Sequence, residues 1–216
     1  MRDNYLPSHT PDFPSALLSV DPPVAGLFVK GTIPTTPMIS VVGTREPSEY
    51  GVLAVKQLVP LLVSHGFAIV SGLARGIDTW AHRVTVEHGG KTVAVLAGGI
   101  RHIYPPENAS LAERITTTGA IISENPATYR VYPSDFLKRN RIVAGLSVAT
   151  IVIEGKDKSG TFSTANYAVT LGRDVYAVPG RIDSPLSYAP NKLISLGARI
   201  ITEPVEVANE LAATYL

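Results

Sequence analysis

The stretch "SGLARGIDTWAH", Ser71 to His82, combines residue types that handle anions. Gly72 and Gly76 stand four apart and enclose Arg75. Asp78 follows two residues later, as a helical pattern begins. Glycine-rich turns that open helices can bring backbone N–H groups to a phosphate. A second such turn, "VVGTREPSEYG" (Val41–Gly51), puts Gly43 at a tight bend and Arg45 in place for a bidentate phosphate contact. In both places the alternative is an ordinary strand-to-helix turn. A third segment, "GKDKSGTFSTA" (Gly155–Ala165), sets Lys158 beside Ser159, Gly160 and Thr161 at a helix start. The phosphate loop of nucleotide hydrolases needs its lysine after the second glycine. Here Lys158 precedes Gly160, so nucleotide hydrolysis is not supported. Contact with one phosphate of a longer polymer, or a Ser/Thr-rich helix cap, remains.

"FLKRNRIVAGLS" (Phe136–Ser147) reads as a helix with Phe136, Arg139 and Asn140 on one face. Arg141 falls about 200° round that helix from Arg139, so the two cannot serve one partner. One of them is expected to anchor a carboxylate such as Glu124 or Glu154. Phe136 either packs in the core or, beside an arginine, offers a stacking platform for an unpaired base. In "GGIRHIYPPEN" (Gly98–Asn108), Tyr104 is expected to fill a gap rather than stack. His82, four residues after Asp78, is expected to stay within its own helix. Asp78 reads as an acid favouring the helix N-terminus rather than as a base. Arg75 either grips a ligand or pairs with a nearby acid.

Other chemistries find no support. The G-x-G-x-x-G fingerprint is absent, since Arg45 holds the place of its second glycine, and a nicotinamide cofactor is not expected. The five histidines (9, 65, 82, 88 and 102) show no metal-binding spacing, and there is no G-x-S-x-G elbow. Cysteine is absent, which removes disulfides and thiolate chemistry. No catalytic residue, cofactor or metal is expected.

What must position these groups is a run of alternating elements. The segments "MISVVG", "FAIVSG", "TVAVLAGG", "AIISE", "ATIVIE", "DVYAVPG" and "ARIITE" are nearly continuous in apolar residues, which suits strands buried on both faces. Helical periods lie between them, over 50–65, 77–88, 109–117, 136–146, 161–171, 191–196 and 205–214. This alternation predicts a doubly wound, mainly parallel α/β sheet of extended Rossmann-like type, with helices on both faces. Residues 38–216 form that domain. Residues 1–37, with seven prolines, read as an irregular lead-in packed on it, with one short helix near "SALLSV". Ligands of such sheets bind beyond the carboxyl ends of the strands. Arg45, Arg75, Arg101, His102, Arg130, Lys156, Lys158 and Arg181 each follow a strand, so a ligand of repeated negative charge would fit that edge. Acids share the same loops, and some of these bases can simply pair with them.

Net charge is +1 over 216 residues, so any basic site must come from local placement. The proline-containing start lacks a signal-peptide pattern and no apolar run reaches a membrane span of roughly 18 residues. A soluble cytoplasmic protein with no membrane contact is expected.

Taken in order, Phe13–Gly31, "VVGTR", "SGLARGID", "YPPEN", "SENP", "FLKRNRIVAGLS", "KSGT" with "STA", "GRDVYAVPG" and "NKLISLGA" resemble the DNA-processing protein A family, also called Smf. The resemblance covers about residues 13–200; each motif is weak alone, and the ordered set is specific. It implies an extended Rossmann-like domain that binds single-stranded DNA cooperatively and protects incoming DNA in natural transformation. It further implies help in loading the RecA recombinase, a homodimer, and no nucleotide cofactor. Carried over position by position, the DNA-contacting set is Gly43, Arg45, Gly72, Arg75, Gly76, Phe136, Arg139, Lys158, Ser159, Gly160 and Thr161. Relatives often add an N-terminal helical domain and a C-terminal winged helix, and neither is expected here. Some carry a base three residues before the phenylalanine, where this chain has Pro133; Arg130 is the candidate substitute.

Two other functions compete. Nucleoside-monophosphate phosphoribohydrolases of related fold use P-G-G-x-G-T-x-x-E, but aligning "SGTFST" on its G-T puts Thr164 at the catalytic glutamate. A partner-binding module without DNA affinity is compatible with the moderate charge.

Overall fold

The computed structural model describes residues 4–157 and 159–216. Its strands are β1 (Asn4–Pro7), β2 (Gly26–Gly31), β3 (Met38–Val42), β4 (Ala68–Ser71), β5 (Thr92–Leu96), β6 (Ala120–Ser123), β7 (Ala149–Val152), β8 (Asp174–Ala177) and β9 (Arg199–Ile200). The helices are α1 (Glu49–Ser64), α2 (Ile77–Glu87), α3 (Ala109–Thr118), α4 (Pro133–Leu146), α5 (Gly160–Thr170), α6 (Tyr188–Ser195) and α7 (Pro204–Tyr215). β3 to β7 are buried along their whole length, as a sheet covered on both faces requires.

The strands form one sheet in the order β1-β2-β6-β5-β4-β3-β7-β8-β9 among the described residues. Every pairing from β6 across to β9 is parallel. The chain therefore winds outward from β3 to β6, returns to β7 beside β3, and winds outward again. This is the doubly wound Rossmann-like arrangement, and β3 against β7 is its switch point. Alternate side chains divide the core. Ile39, Val41, Ile69 and Ile151 pack with Leu58, Leu62, Ile77 and Leu211 from α1, α2 and α7. Met38, Val42, Val70 and Val93 face the other way, toward Ile142 and Val143 of α4 and Ala165 of α5.

The lead-in is not irregular throughout. β2 pairs antiparallel with β6, and β1 pairs antiparallel with β2, so the first segment extends the sheet. Seven prolines dominate its composition, but "GLFVKG" between them is free to form ladder bonds, and Leu27 and Val29 bury their side chains. The expected helix near "SALLSV" is one 3-10 turn, Ser15–Leu17. Leu17 and Val20 from this segment lie against Gly145 of α4, where a Cβ would approach Val20 Cγ2 to 2.5 Å.

Two helices begin three residues before their expected starts. α4 opens at Pro133 rather than 136, because proline suits a first-turn position whose N–H needs no partner. The Asp135 carboxylate accepts the Tyr132 N–H at 2.8 Å and fixes that start. α6 opens at Tyr188 rather than 191; Pro190 lies in its first turn, where no intrahelical donor is needed.

Buried His82 departs from the expectation that it stays within its own helix. Its Nδ1 lies 2.7 Å from Thr92 Oγ1, and Thr92 donates its own proton to the Ile69 carbonyl at 2.7 Å. His82 Nδ1 is therefore the donor, tying α2 to β5. Burial pushes the His82 pKa down to about 3. The unfolded chain takes a proton near pH 6.5 and the folded one does not. His82 is thus expected to withdraw stability as pH falls from about 6.5 to about 3, at up to about 1.4 kcal/mol per pH unit. Denaturation of wild type and His82→Asn across that range isolates the effect. Equal pH slopes would sink the assignment.

Candidate nucleic-acid interface

Because β3 to β9 are parallel, their following loops open on one edge. At the switch point these loops leave a crevice of about 480 Å³. One wall is the β3–α1 turn with Gly43, Thr44 and Arg45. The β4–α2 turn contributes Gly72, Ala74 and Asp78. α4 presents Pro133, Phe136, Arg139 and Asn140, and Ser159, Gly160 and Thr161 open α5. Segments far apart in sequence thus converge where an open parallel sheet takes its ligands.

The glycines serve close approach. A Cβ on Gly43 would come within 2.7 Å of Ile77 Cγ1 and 3.0 Å of the Glu154 carbonyl. Gly76 precedes α2 with φ +78° and lies against the Thr44 carbonyl and the Arg45 backbone. The Ile77 N–H donates to the Thr44 carbonyl at 3.1 Å, pinning the two turns together. A Cβ on Gly72 would collide with the Arg139 guanidinium. Glu154 holds the start of α1, accepting from Ser48 N at 2.9 Å and Ser48 Oγ at 2.5 Å.

Arg45 and Phe136 come together at the mouth. Arg45 is exposed, with its guanidinium carbon 5.1 Å from the Phe136 ring centroid. The half-buried Phe136 is also met edge-on by Tyr104, with ring centroids 6.0 Å apart. Tyr104 is 49% exposed, so it lies on the surface rather than filling a gap. Its rigid link to two prolines holds it outward on the loop after β5.

Arg139 is placed differently from Arg45. It is 7% exposed and forms the crevice floor, its Nη1 donating to the Val95 carbonyl. Beside it Asp78 is buried and accepts the Gly72 N–H at 3.0 Å. Burial raises the Asp78 pKa, while the Arg139 charge and hydrogen bonds from the Gly72 turn draw it back. Burial likewise lowers the Arg139 pKa, Asp78 raises it, and the nearby Arg45 charge lowers it. The Arg45 charge thus reaches Arg139 at the crevice floor. Arg139 and Arg141 are both buried. Arg141 pairs with Glu124 at 2.6 Å, one of the two carboxylates proposed for it. The whole run 139–146 is buried, so its opposite faces meet protein on both sides.

Arg75 lies outside the crevice lining. It is exposed and bonded to Glu107 at 2.5 Å, which is the acid-pairing alternative. Lys156 meets Glu46 at 3.4 Å and Arg181 meets Asp183 at 2.7 Å. Such exposed pairs contribute little to stability, because solvent screens them. Arg45 has no acidic partner among the described residues. Lys158 lies outside the described residues. Ser159 is the N-cap of α5, Gly160 is exposed, and Thr161 is buried against the crevice. The helix-start amides of α5 thus border the same space, on the side favourable to negative charge. That Asp78 is buried at the crevice and accepts the Gly72 N–H is a tertiary fact; its spacing from Gly72 is the one signal of it in the sequence.

A doubly wound, mainly parallel sheet with a crevice at its switch point defines a Rossmann-like protein. The family model for DNA recombination-mediator protein A matches residues 4–212, and the chain belongs to that family. It is 40% identical to the DNA processing protein DprA of Bacillus subtilis over 96% of this chain and 71% of that protein. It is 37% identical to protein Smf of Escherichia coli over 96% of this chain and 56% of that one. The X-ray structure of DNA processing protein A from Streptococcus pneumoniae superposes with a TM-score of 0.92 at 33% identity, covering 100% of this chain and 75% of that one. The Helicobacter pylori protein, whose structure is described as giving insight into its single-stranded DNA binding mode, superposes at 0.88 with 26% identity over 100% and 99% of the two chains. A molybdenum cofactor binding protein from Rippkaea orientalis, 17% identical with a TM-score of 0.60 over 84% of this chain and 98% of that one, shares the fold alone. No helix among the described residues is long and apolar enough to cross a membrane.

Proposed function

We propose that this chain binds single-stranded DNA in the switch-point crevice and acts as a recombination mediator rather than an enzyme. The observation that carries the reading is Arg45, exposed and without an acidic partner among the described residues, over the half-buried Phe136 ring. A guanidinium over an aromatic ring serves a polymer that offers phosphates and unpaired bases alternately. Backbone amides at Ser159–Thr161, which open α5 on the crevice, would supply further phosphate donors without reading sequence. The Helicobacter pylori relative's single-stranded DNA binding supports the same ligand class. The finer reading rests on the family resemblance: the protein works as a homodimer, protects incoming DNA in natural transformation and passes it to the RecA recombinase. Sedimentation velocity and a recombinase filament-nucleation assay test those two partners.

Fluorescence anisotropy with a labelled oligonucleotide at two salt concentrations tests the central reading. Affinity is expected to fall as salt rises, and Arg45→Ala to lose about tenfold at low salt across sequences. Absence of binding at low salt, or an unchanged affinity in Arg45→Ala, would overturn it.

A further inference from the structure

Resting on that reading, we propose that single-stranded DNA leaving the crevice continues over an aromatic rail on the loops after β5 and β6, formed by Tyr104, Tyr129, Arg130 and Tyr132. Four observations carry the path.

First, the rail joins the crevice. Tyr104 meets Phe136 edge-on at 6.0 Å, and Phe136 stands one turn into α4, whose N-cap is Tyr132. Val131, between Arg130 and Tyr132, shares a small hollow with Tyr104 and Phe136.

Second, the surface is held in place. The Gly99 N–H donates to the Tyr129 carbonyl at 3.1 Å, and the Arg101 N–H to the Ala127 carbonyl at 3.1 Å. These bonds pin the two loops to each other.

Third, large rings face outward. Tyr104 is 49% and Tyr132 61% exposed, and the Tyr129 and Tyr132 rings meet edge-on at 6.2 Å. Aromatic faces left toward water on a structured loop suit base stacking, which tolerates any sequence.

Fourth, a cation stands on the path. Glu107 is paired with Arg75 and Glu124 with Arg141, while Asp135 keeps its charge and accepts the Tyr132 N–H. Arg130 is exposed and has no acidic partner among the described residues. β5 and β6 are the two strands beyond β4, so the rail lengthens the binding path by about 10 Å at roughly 4.8 Å per strand.

The test is the dependence of affinity on oligonucleotide length. Wild type, Arg130→Ala/Tyr132→Ala, Tyr132→Phe and Arg45→Ala are titrated with oligothymidylates of about 4 and about 16 nucleotides at low salt. Circular dichroism establishes that each variant is folded. The double variant is expected to lose about tenfold on the long oligonucleotide and nothing on the short one, while Tyr132→Phe keeps wild-type affinity on both. Unchanged long-oligonucleotide affinity in the double variant overturns the rail. So does an equal loss at both lengths, which would place these residues in the crevice itself. If Arg45→Ala weakens both lengths while the double variant weakens neither, the crevice reading stands and only the rail falls. If Arg45→Ala weakens neither, the crevice reading fails, and the rail with it.

Discussion

Arg139→Met is expected to destabilise the fold by about 1–3 kcal/mol at neutral pH, because it leaves the buried Val95 carbonyl without its donor and removes the nearby charge that draws the buried Asp78 carboxylate down. Methionine can fill much of the arginine's volume, so the lost charge and hydrogen bonds dominate. Asp78 already sits above the ordinary carboxylate range through burial, and the Arg139 charge draws it down. Without that charge its pKa rises further. A carboxyl whose pKa is raised in the folded state binds protons more readily there than in the unfolded chain, whose value is near 3.9. The variant should therefore regain stability as pH falls from its raised folded pKa toward about 4. Adding Asp78→Asn should recover part of the loss at pH 7, since asparagine can still accept the Gly72 N–H. Urea denaturation of the four proteins at pH 7 and pH 5 completes the cycle. An Arg139→Met midpoint equal to wild type would show that the crevice floor does not depend on the Arg139 charge.

Arg141→Ala is expected to be more damaging to stability while leaving the crevice chemistry alone. Arg141 is completely buried. Its Nε donates to the Pro22 carbonyl at 2.9 Å, Nη1 to the Lys138 carbonyl at 3.3 Å and Nη2 to Glu124 at 2.6 Å. One planar fork thus joins the N-terminal segment, α4 and the loop after β6. Removing it strands acceptors on all three, and a loss of about 3–5 kcal/mol is expected in urea denaturation. Arg141→Lys should rescue little, because one ammonium cannot reproduce the fork. Folded Arg141→Ala should still bind single-stranded DNA near wild-type strength, in contrast to Arg45→Ala. A loss below about 1 kcal/mol would reduce Arg141 to an ordinary surface-like pair.

The fold was legible because buried parallel strands carry few polar residues, so "TVAVL" and "ATIV" announce themselves without an alternating pattern. β2 was hidden by the prolines on either side of it, although "GLFVKG" is short, apolar and bounded by glycines. At the site, loops that follow parallel strands had to share an edge, and Gly43, Arg45, Gly72, Phe136 and Thr161 meet there. What spacing could not supply was depth. Nothing local separates exposed Arg45 from Arg139 beneath it, since burial depends on which helix faces cross the sheet. Arg75 shows the same limit, because its partner Glu107 lies on another strand's loop.

The winding of the sheet also bears on when the site exists during synthesis. Arg45 and Gly72 are made early, but β7, which completes the switch point beside β3, begins only at Ala149, and the amides of Ser159–Thr161 come later still. A nascent chain that has folded its first half displays the arginine without the crevice. The complete crevice is therefore a property of the finished sheet.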